Sequence, residues 1–305
     1  MPSTADTVSP ASLRGWPLPK PSGGKGSRGR VVVAGGAAST PGAAMLAGLS
    51  ALRVGAGVLT LGVAESVAAS VGAAVPEAGV QWLPQNAAGS VLGRAAAQAL
   101  VGRIEKADAL LVGPGLDDID EAVQLIAGLV EVAGDELSFV LDAYALGALP
   151  QLPEVTLRAL RGRLLVTPNR TEALLLVDGE DSGAGEASNE SKESKESKHI
   201  ALIGEVAERY GAVVSSDNVI VSPEGGVWTV PAGHPGLGTS GSGDVLAGAV
   251  TGLVARTGDL AQAACWGTYL HAASGDRLAA RIGALGFLAR ELASELPLVL
   301  AELQA

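Results

Sequence analysis

Short apolar runs, each closed by glycine or a polar turn, recur along this chain and alternate with longer stretches of helical periodicity. Arg30–Gly35, Val58–Val63, Ala109–Val112, Ser138–Leu141, Leu164–Thr167, Ala212–Val214 and Val219–Val221 read as buried strands. Between them the spacing predicts helices over Pro41–Gly55, Ser90–Lys106 and Glu121–Val132, with a C-terminal helical cap over Gly286–Leu303. Ser39 or Thr40 serves as N-cap of the first helix, and Pro41 suits its first turn. Strands apolar on every residue need cover on both faces. The pattern therefore predicts an α/β fold, a mostly parallel sheet between two layers of helices. Chemistry in such sheets gathers beyond the carboxyl ends of the strands. Here those ends carry Gly35-Gly36, Gly113-Pro114-Gly115, Asp142 and Thr167-Pro168-Asn169.

Two segments break the pattern. Residues 1–28 are rich in Pro, Gly and Ser and are expected to form a flexible N-terminal arm, leaving 29–305 as a single catalytic domain. Residues 179–198 end in Glu-Ser-Lys repeated three times and are expected to be a disordered insertion, too polar to bury a core.

Composition narrows the partners. The 305 residues carry a net charge of −11, which argues against nucleic acid and leaves any bound phosphate to local backbone dipoles. A single cysteine, Cys265, cannot form an internal disulfide and reads as core. No apolar run of about 20 residues suggests a membrane span, and no signal peptide is evident, so a soluble, cytoplasmic protein is expected. The histidines, His199, His234 and His271, share no metal-ligand spacing, so no metal site of the chain's own is expected. His199 is expected at the surface, His271 in packing, and His234 within possible reach of a ligand. The small apolar helix faces hint at a homo-oligomer.

The densest chemistry lies in Gly238-Thr239-Ser240-Gly241-Ser242-Gly243-Asp244, which runs into an Ala-rich helix. Glycines expose backbone N–H groups, and a helix N-terminus adds unsatisfied donors, so the segment can seat a phosphate. An acid in that seat is repelled by the anion unless it takes a proton from the attacking group, which gives Asp244 the role of base in phosphoryl transfer. The segment is not a Walker loop, since no Gly-Lys-Ser/Thr follows. Gly35-Gly36 does not fit a dinucleotide fingerprint, and no G-x-S-x-G elbow is present.

Gly241-Ser242-Gly243-Asp244-Val245-Leu246-Ala247-Gly248 resembles the anion-hole signature of ribokinase-like enzymes, and within them the ADP/ATP-dependent NAD(P)H-hydrate dehydratase family. Further matches run in order over residues 25–290. They include Lys25-Gly26, Pro41-Gly42-Ala43-Ala44, Ala51 to Gly57, Val75-Pro76-Glu77, Gly113-Pro114-Gly115-Leu116, Leu141-Asp142-Ala143, Thr167-Pro168 with Glu172, and Tyr269-Leu270-His271 with Gly275-Asp276. The resemblance implies a three-layer α/β/α sandwich and an enzyme that restores hydrated NADH or NADPH. ADP or ATP, with Mg²⁺, would phosphorylate the C6 hydroxyl, and the phosphate would then leave. It implies Asp244 as base and part of the substrate site with Ala43, Gly115 and Asn169. It places the adenine nucleotide against Ser215, Ser216, Asp217, Asn218, Ser242 and Gly243, with the Ser242 and Gly243 amides on the transferred phosphoryl group. Asn169 stands where the family often has His, and Arg170-Thr171 replaces Pro-Gly. The family's Lys-Gly near Val214-Ser215 is absent, and Tyr144 stands where an acid or small residue is common. These departures bear on nucleotide affinity rather than on the fold. A ribokinase-like small-molecule kinase and a non-catalytic nucleotide-binding relative are the alternatives.

Overall fold

The computed structural model describes residues 5–20, 23–178 and 192–305. Ten strands form one sheet: β1 (Asp6–Thr7), β2 (Arg30–Ala34), β3 (Val58–Ala64), β4 (Gly79–Leu83), β5 (Ala109–Val112), β6 (Ser138–Leu141), β7 (Leu164–Val166), β8 (Ala212–Ser216), β9 (Val219–Val221) and β10 (Val227–Thr229). Their order is β1-β10-β9-β8-β7-β6-β5-β2-β3-β4. Only β9 runs against the others, pairing antiparallel with β8 and β10. Among the described residues, twelve α-helices accompany the sheet: α1 (Pro10–Gly15), α2 (Pro41–Arg53), α3 (Glu65–Ala74), α4 (Gly93–Ile104), α5 (Ile119–Val132), α6 (Tyr144–Ala148), α7 (Glu154–Leu160), α8 (Arg170–Asp178), α9 (Lys192–Tyr210), α10 (Ser242–Thr257), α11 (Leu260–Ile282) and α12 (Ala289–Gln304).

The all-apolar strands behave as their composition requires. Along β2, Val31 and Val33 enter one core with α2, α10, α11 and α12. Val32 and Ala34 enter the other, with α4, α5 and α9. Successive residues of a strand face opposite sides, so both sides are buried and the molecule has three layers. Each large aliphatic side chain taken fully inside contributes about 1.5–3 kcal/mol. No helix among the described residues is long and apolar enough to cross a membrane.

Two expectations about disorder are corrected. The segment 5–20 is built into the fold: β1 pairs with β10, and α1 buries Leu13, with Leu18 following. Trp16 stacks near Trp228, ring centroids 6.2 Å apart, and its carbonyl accepts from Trp266 Nε1 at 2.9 Å. Three apolar anchors outweigh the Pro- and Gly-rich composition between them. Of the insertion, 179–191 lie outside the described residues, whereas 192–198 open helix α9. Ile203, Val206, Ala207 and Tyr210 anchor that helix on the sheet, and Glu and Lys propagate it outward as good helix formers.

Helices α2 and α10 meet at unusually short range. A Cβ on Gly248 would lie 2.0 Å from the Ala47 carbonyl oxygen, and one on Gly252 2.6 Å from that of Ala51. Both pairs share one register, so the helices run parallel. Asp244 and Ala43 lie one turn nearer the N-termini of the two helices.

Candidate active site

Helix α10 starts at the edge of the sheet where the strands end. Its N-cap is Gly241, with φ of 87°, a left-handed conformation that glycine adopts at little cost. No side chain caps the helix. The Ser242 N–H donates to the Thr239 carbonyl at 3.1 Å, and the Val245 N–H to that of Gly241 at 3.2 Å. The N–H groups of Gly243 and Asp244 have no acceptor among the described residues. The unengaged donors at this helix start are thus one residue further along than the expected pair, Ser242 and Gly243. They belong to Gly243 and Asp244, because the turn uses the Ser242 amide.

Ser242 is held from behind. His271 Nε2 lies 2.9 Å from Ser242 Oγ and 3.1 Å from the Ser242 carbonyl oxygen. A carbonyl only accepts, so Nε2 carries the proton, and burial pushes the imidazole down to about 4, keeping it neutral. The packing role read for His271 includes this anchoring of the first turn of α10. His234 is turned inward locally, its Nδ1 accepting from the Gly236 N–H at 3.0 Å.

Three carboxylates share this edge. Burial pushes the Asp244 carboxyl up to about 6. Asp142, at the end of β6 and 7% exposed, is pushed up to about 7, chiefly by burial and further by the charges of Asp244 and Glu172. Thr167 Oγ1, at the end of β7, donates to Asp142 Oδ1 at 2.9 Å. Glu172 is also raised by burial, against the lowering effect of the Asn169 N–H. Asn169 and Glu172 cap α8 reciprocally, the Asn169 N–H donating to Glu172 Oε2 at 2.8 Å and the Glu172 N–H to Asn169 Oδ1 at 2.9 Å. Asn169 therefore reaches the edge as a helix cap, with its amide oxygen engaged. The signal for Asp142 was its place, an acid closing an apolar strand, but a helix cap reads the same way from sequence.

Two glycine turns interlock at the neighbouring strand ends. The Gly36 N–H donates to the Pro114 carbonyl at 2.9 Å, and the Ala37 N–H and Thr40 Oγ1 donate to that of Gly115 at 2.7 and 2.9 Å. A Cβ on Gly115 would lie 2.3 Å from the Thr40 carbonyl oxygen. Gly115 thus fixes the start of α2, the turn that carries Ala43, against the end of β5.

The segment expected to bind nucleotide is divided. Ser215 and Ser216 belong to β8 and are buried. The Ser215 hydroxyl lies 2.8 Å from Thr268 Oγ1. This corrects their expected exposure to a ligand: the strand runs two residues further than the sequence reading, and α11 covers it. Asp217 and Asn218, with φ of 45° and 66°, form the two-residue turn of the β8–β9 hairpin. Both line a cleft of about 690 Å³, together with Arg170, Lys195, His199 and Asp276. His199 is 4% exposed, not at the surface, and its Nε2 lies 3.2 Å from the Ser216 carbonyl oxygen. Arg170 and Lys195 bring positive charge to this cleft, opposed by Glu196, Asp217 and Asp276. Arg170 and Lys195 arrive from α8 and α9, distant in sequence, so local motif spacing could not reveal them.

A sequence model of the NAD(P)H-hydrate dehydratase family matches residues 31–298. An ADP-dependent (S)-NAD(P)H-hydrate dehydratase of Xanthomonas campestris pv. campestris is 40% identical over 96% of this chain and 96% of its own length. Among solved structures, the ADP/ATP-dependent NAD(P)H-hydrate dehydratase of Bacillus subtilis, co-crystallised with ATP/Mg²⁺ and soaked with CoA, superposes with a TM-score of 0.77 at 25% identity, over 99% of this chain and 100% of that one. The ribokinase of Arabidopsis thaliana shares the fold, at a TM-score of 0.51 and 11% identity over 88% of this chain and 98% of that one. The chain also spans about half the length of the bifunctional NAD(P)H-hydrate repair enzymes it matches, 52% of that from Moorella thermoacetica at 34% identity.

Proposed function

The chain belongs to the NAD(P)H-hydrate dehydratase family, and from that premise we propose how its site restores hydrated NADH or NADPH at the expense of ADP or ATP. The observation that carries the reading is the start of α10: two unengaged N–H donors beside a part-buried carboxylate of raised pKa. Asp244 takes the proton of the C6 hydroxyl as that oxygen attacks the terminal phosphoryl group. The Gly243 and Asp244 N–H groups, at the positive end of the helix, hold the charge that gathers on the phosphoryl oxygens. The ring nitrogen lone pair then expels phosphate from C6.

The hydrated dinucleotide lies along Ala43, Gly115 and Asn169, with its ring over Asp244. The adenine nucleotide lies in the cleft beside Asp217 and Asn218, its phosphates directed toward Gly243. Arg170 and Lys195 supply positive charge there. Ser215 and Ser216 support the hairpin from within the sheet. Among the described residues, no three His, Cys, Asp or Glu side chains gather into a metal cage. Asp142, Glu172 and Asp244 share the strand-end edge without forming such a cage, and Mg²⁺ enters with the co-substrate as the nucleotide complex. The reaction suits the cytoplasm, where the reduced cofactors are used.

The test is product analysis. Protein incubated with hydrated NADH, Mg²⁺ and either nucleotide is expected to form NADH, one nucleotide being consumed per NADH. Accumulation of a phosphorylated hydrate without NADH would instead make the protein a small-molecule kinase.

A further inference from the structure

Restoring the ring requires the removal of two protons, one from the C6 hydroxyl and one from C5. Asp244 accounts for the first. Once the C6–O bond has broken, its electron pair leaves with phosphate, and the nitrogen lone pair forms an N1=C6 iminium. The C5–H bond must then break. Its electron pair forms C5=C6, and the iminium pair returns to N1. Nothing is oxidised or reduced, but the C5 proton needs an acceptor.

We propose that Asp142 is that acceptor, a second base for the reaction proposed above. Helix α10 packs across β5 and β6, and Asp142, just past the end of β6, lies near enough to Asp244 to feel its charge. The Asp142 carboxylate is held by the Thr167 hydroxyl at 2.9 Å. It is followed by Ala143, whose φ of 52° turns the chain sharply into α6. A non-glycine residue in that region costs free energy, and such strain persists where a neighbouring group must be held in place. The remaining carboxylate of the group, Glu172, already accepts the Asn169 N–H and caps α8. The Thr167 hydroxyl and the Ala143 N–H fix the Asp142 carboxylate in place. Burial raises its basicity above that of an ordinary aspartate.

The test separates the two proton removals. In D142N, which keeps an oxygen for Thr167, single-turnover phosphate release is expected to stay within about threefold of wild type. NADH formation is expected to fall by about 100-fold, a typical loss for a general base. Iminium that regains water returns to hydrate, so more than one nucleotide is consumed per NADH. Deuterium at C5 is expected to slow NADH formation more in D142N than in wild type. T167V, which removes the hydroxyl that holds the carboxylate, should show the same uncoupling more weakly and serves if D142N does not fold. Phosphate release and NADH formation falling together, or neither falling, would overturn the assignment. Failure of wild type to form NADH with either nucleotide would overturn the functional reading itself, a distinct result.

Discussion

Asp244 carries a negative charge at the place where an anion is to bind, and that conflict made it legible in the sequence. Burial makes it a usable base, at about 6. Nucleotide consumption in single turnovers is therefore expected to rise with pH along an acid limb near 6. In D142N the limb should stay near 6, since burial alone raises Asp244 and Asp142 is still protonated where Asp244 titrates. Asp142 also has a consequence for stability. Its folded value, about 7, lies above the ordinary 3.8, so the native state holds its proton more tightly than the unfolded chain does. That stabilisation is complete below about 4 and is lost as pH rises through about 7. D142N should thus melt higher than wild type at pH about 8, by a few kcal/mol at roughly 1.4 per pKa unit, and match it near pH about 4. Equal melting at both pH values would show that Asp142 is better solvated than its burial implies. What the sequence could not show at this scale was which amide is open. Ser242 and Gly243 look alike as donors until the Thr239 turn uses one of them.

Secondary elements with strong apolar runs, β2, β3, β5, β6 and β7, fall where the hydrophobic pattern puts them, because nothing local competes with their burial. The elements it missed are β1, β4 and β10, short or half-exposed strands, and the helices α1, α3 and α6 to α9, whose patterns are brief or run out of polar sequence. The resemblance places a nucleotide-binding segment over Ser215–Asn218, yet only Asp217-Asn218 turns. The α2–α10 contact is likewise beyond periodicity, since it depends on Gly248 lying under the Ala47 carbonyl. G248V would force the helices apart, costing roughly 1–3 kcal/mol by overpacking, and would shift Asp244 relative to Ala43. Urea unfolding should report the first effect and a fall in kcat the second. On the cleft, R170A and K195A are each expected to raise the nucleotide KM several-fold while leaving the KM for the hydrate unchanged. An unchanged nucleotide KM in both variants would place the phosphates elsewhere.

Across the whole molecule, the three-layer arrangement was legible because strands buried on both faces admit few architectures. The N-terminal segment was not, since its composition hides three anchors, Leu13, Trp16 and Leu18, that matter only once α11 and β10 are in place. W16A is expected to cost roughly 2 kcal/mol through the lost ring contact and burial, lowering the melting temperature without changing the pH profile of catalysis. The site as a whole is assembled from strand ends, the start of α10 and the cleft between α8 and α9, so it exists only in the complete fold. Its central claim is that Asp244 drives a nucleotide-dependent dehydration. The most direct measurement is the recovery of reduced-nicotinamide absorbance from hydrated NADH with ADP or ATP and Mg²⁺, in wild type and in D244N of matched melting temperature. Recovery by wild type, with a loss of about two orders of magnitude or more in D244N, is the expected result. Equal rates in the two proteins would contradict it.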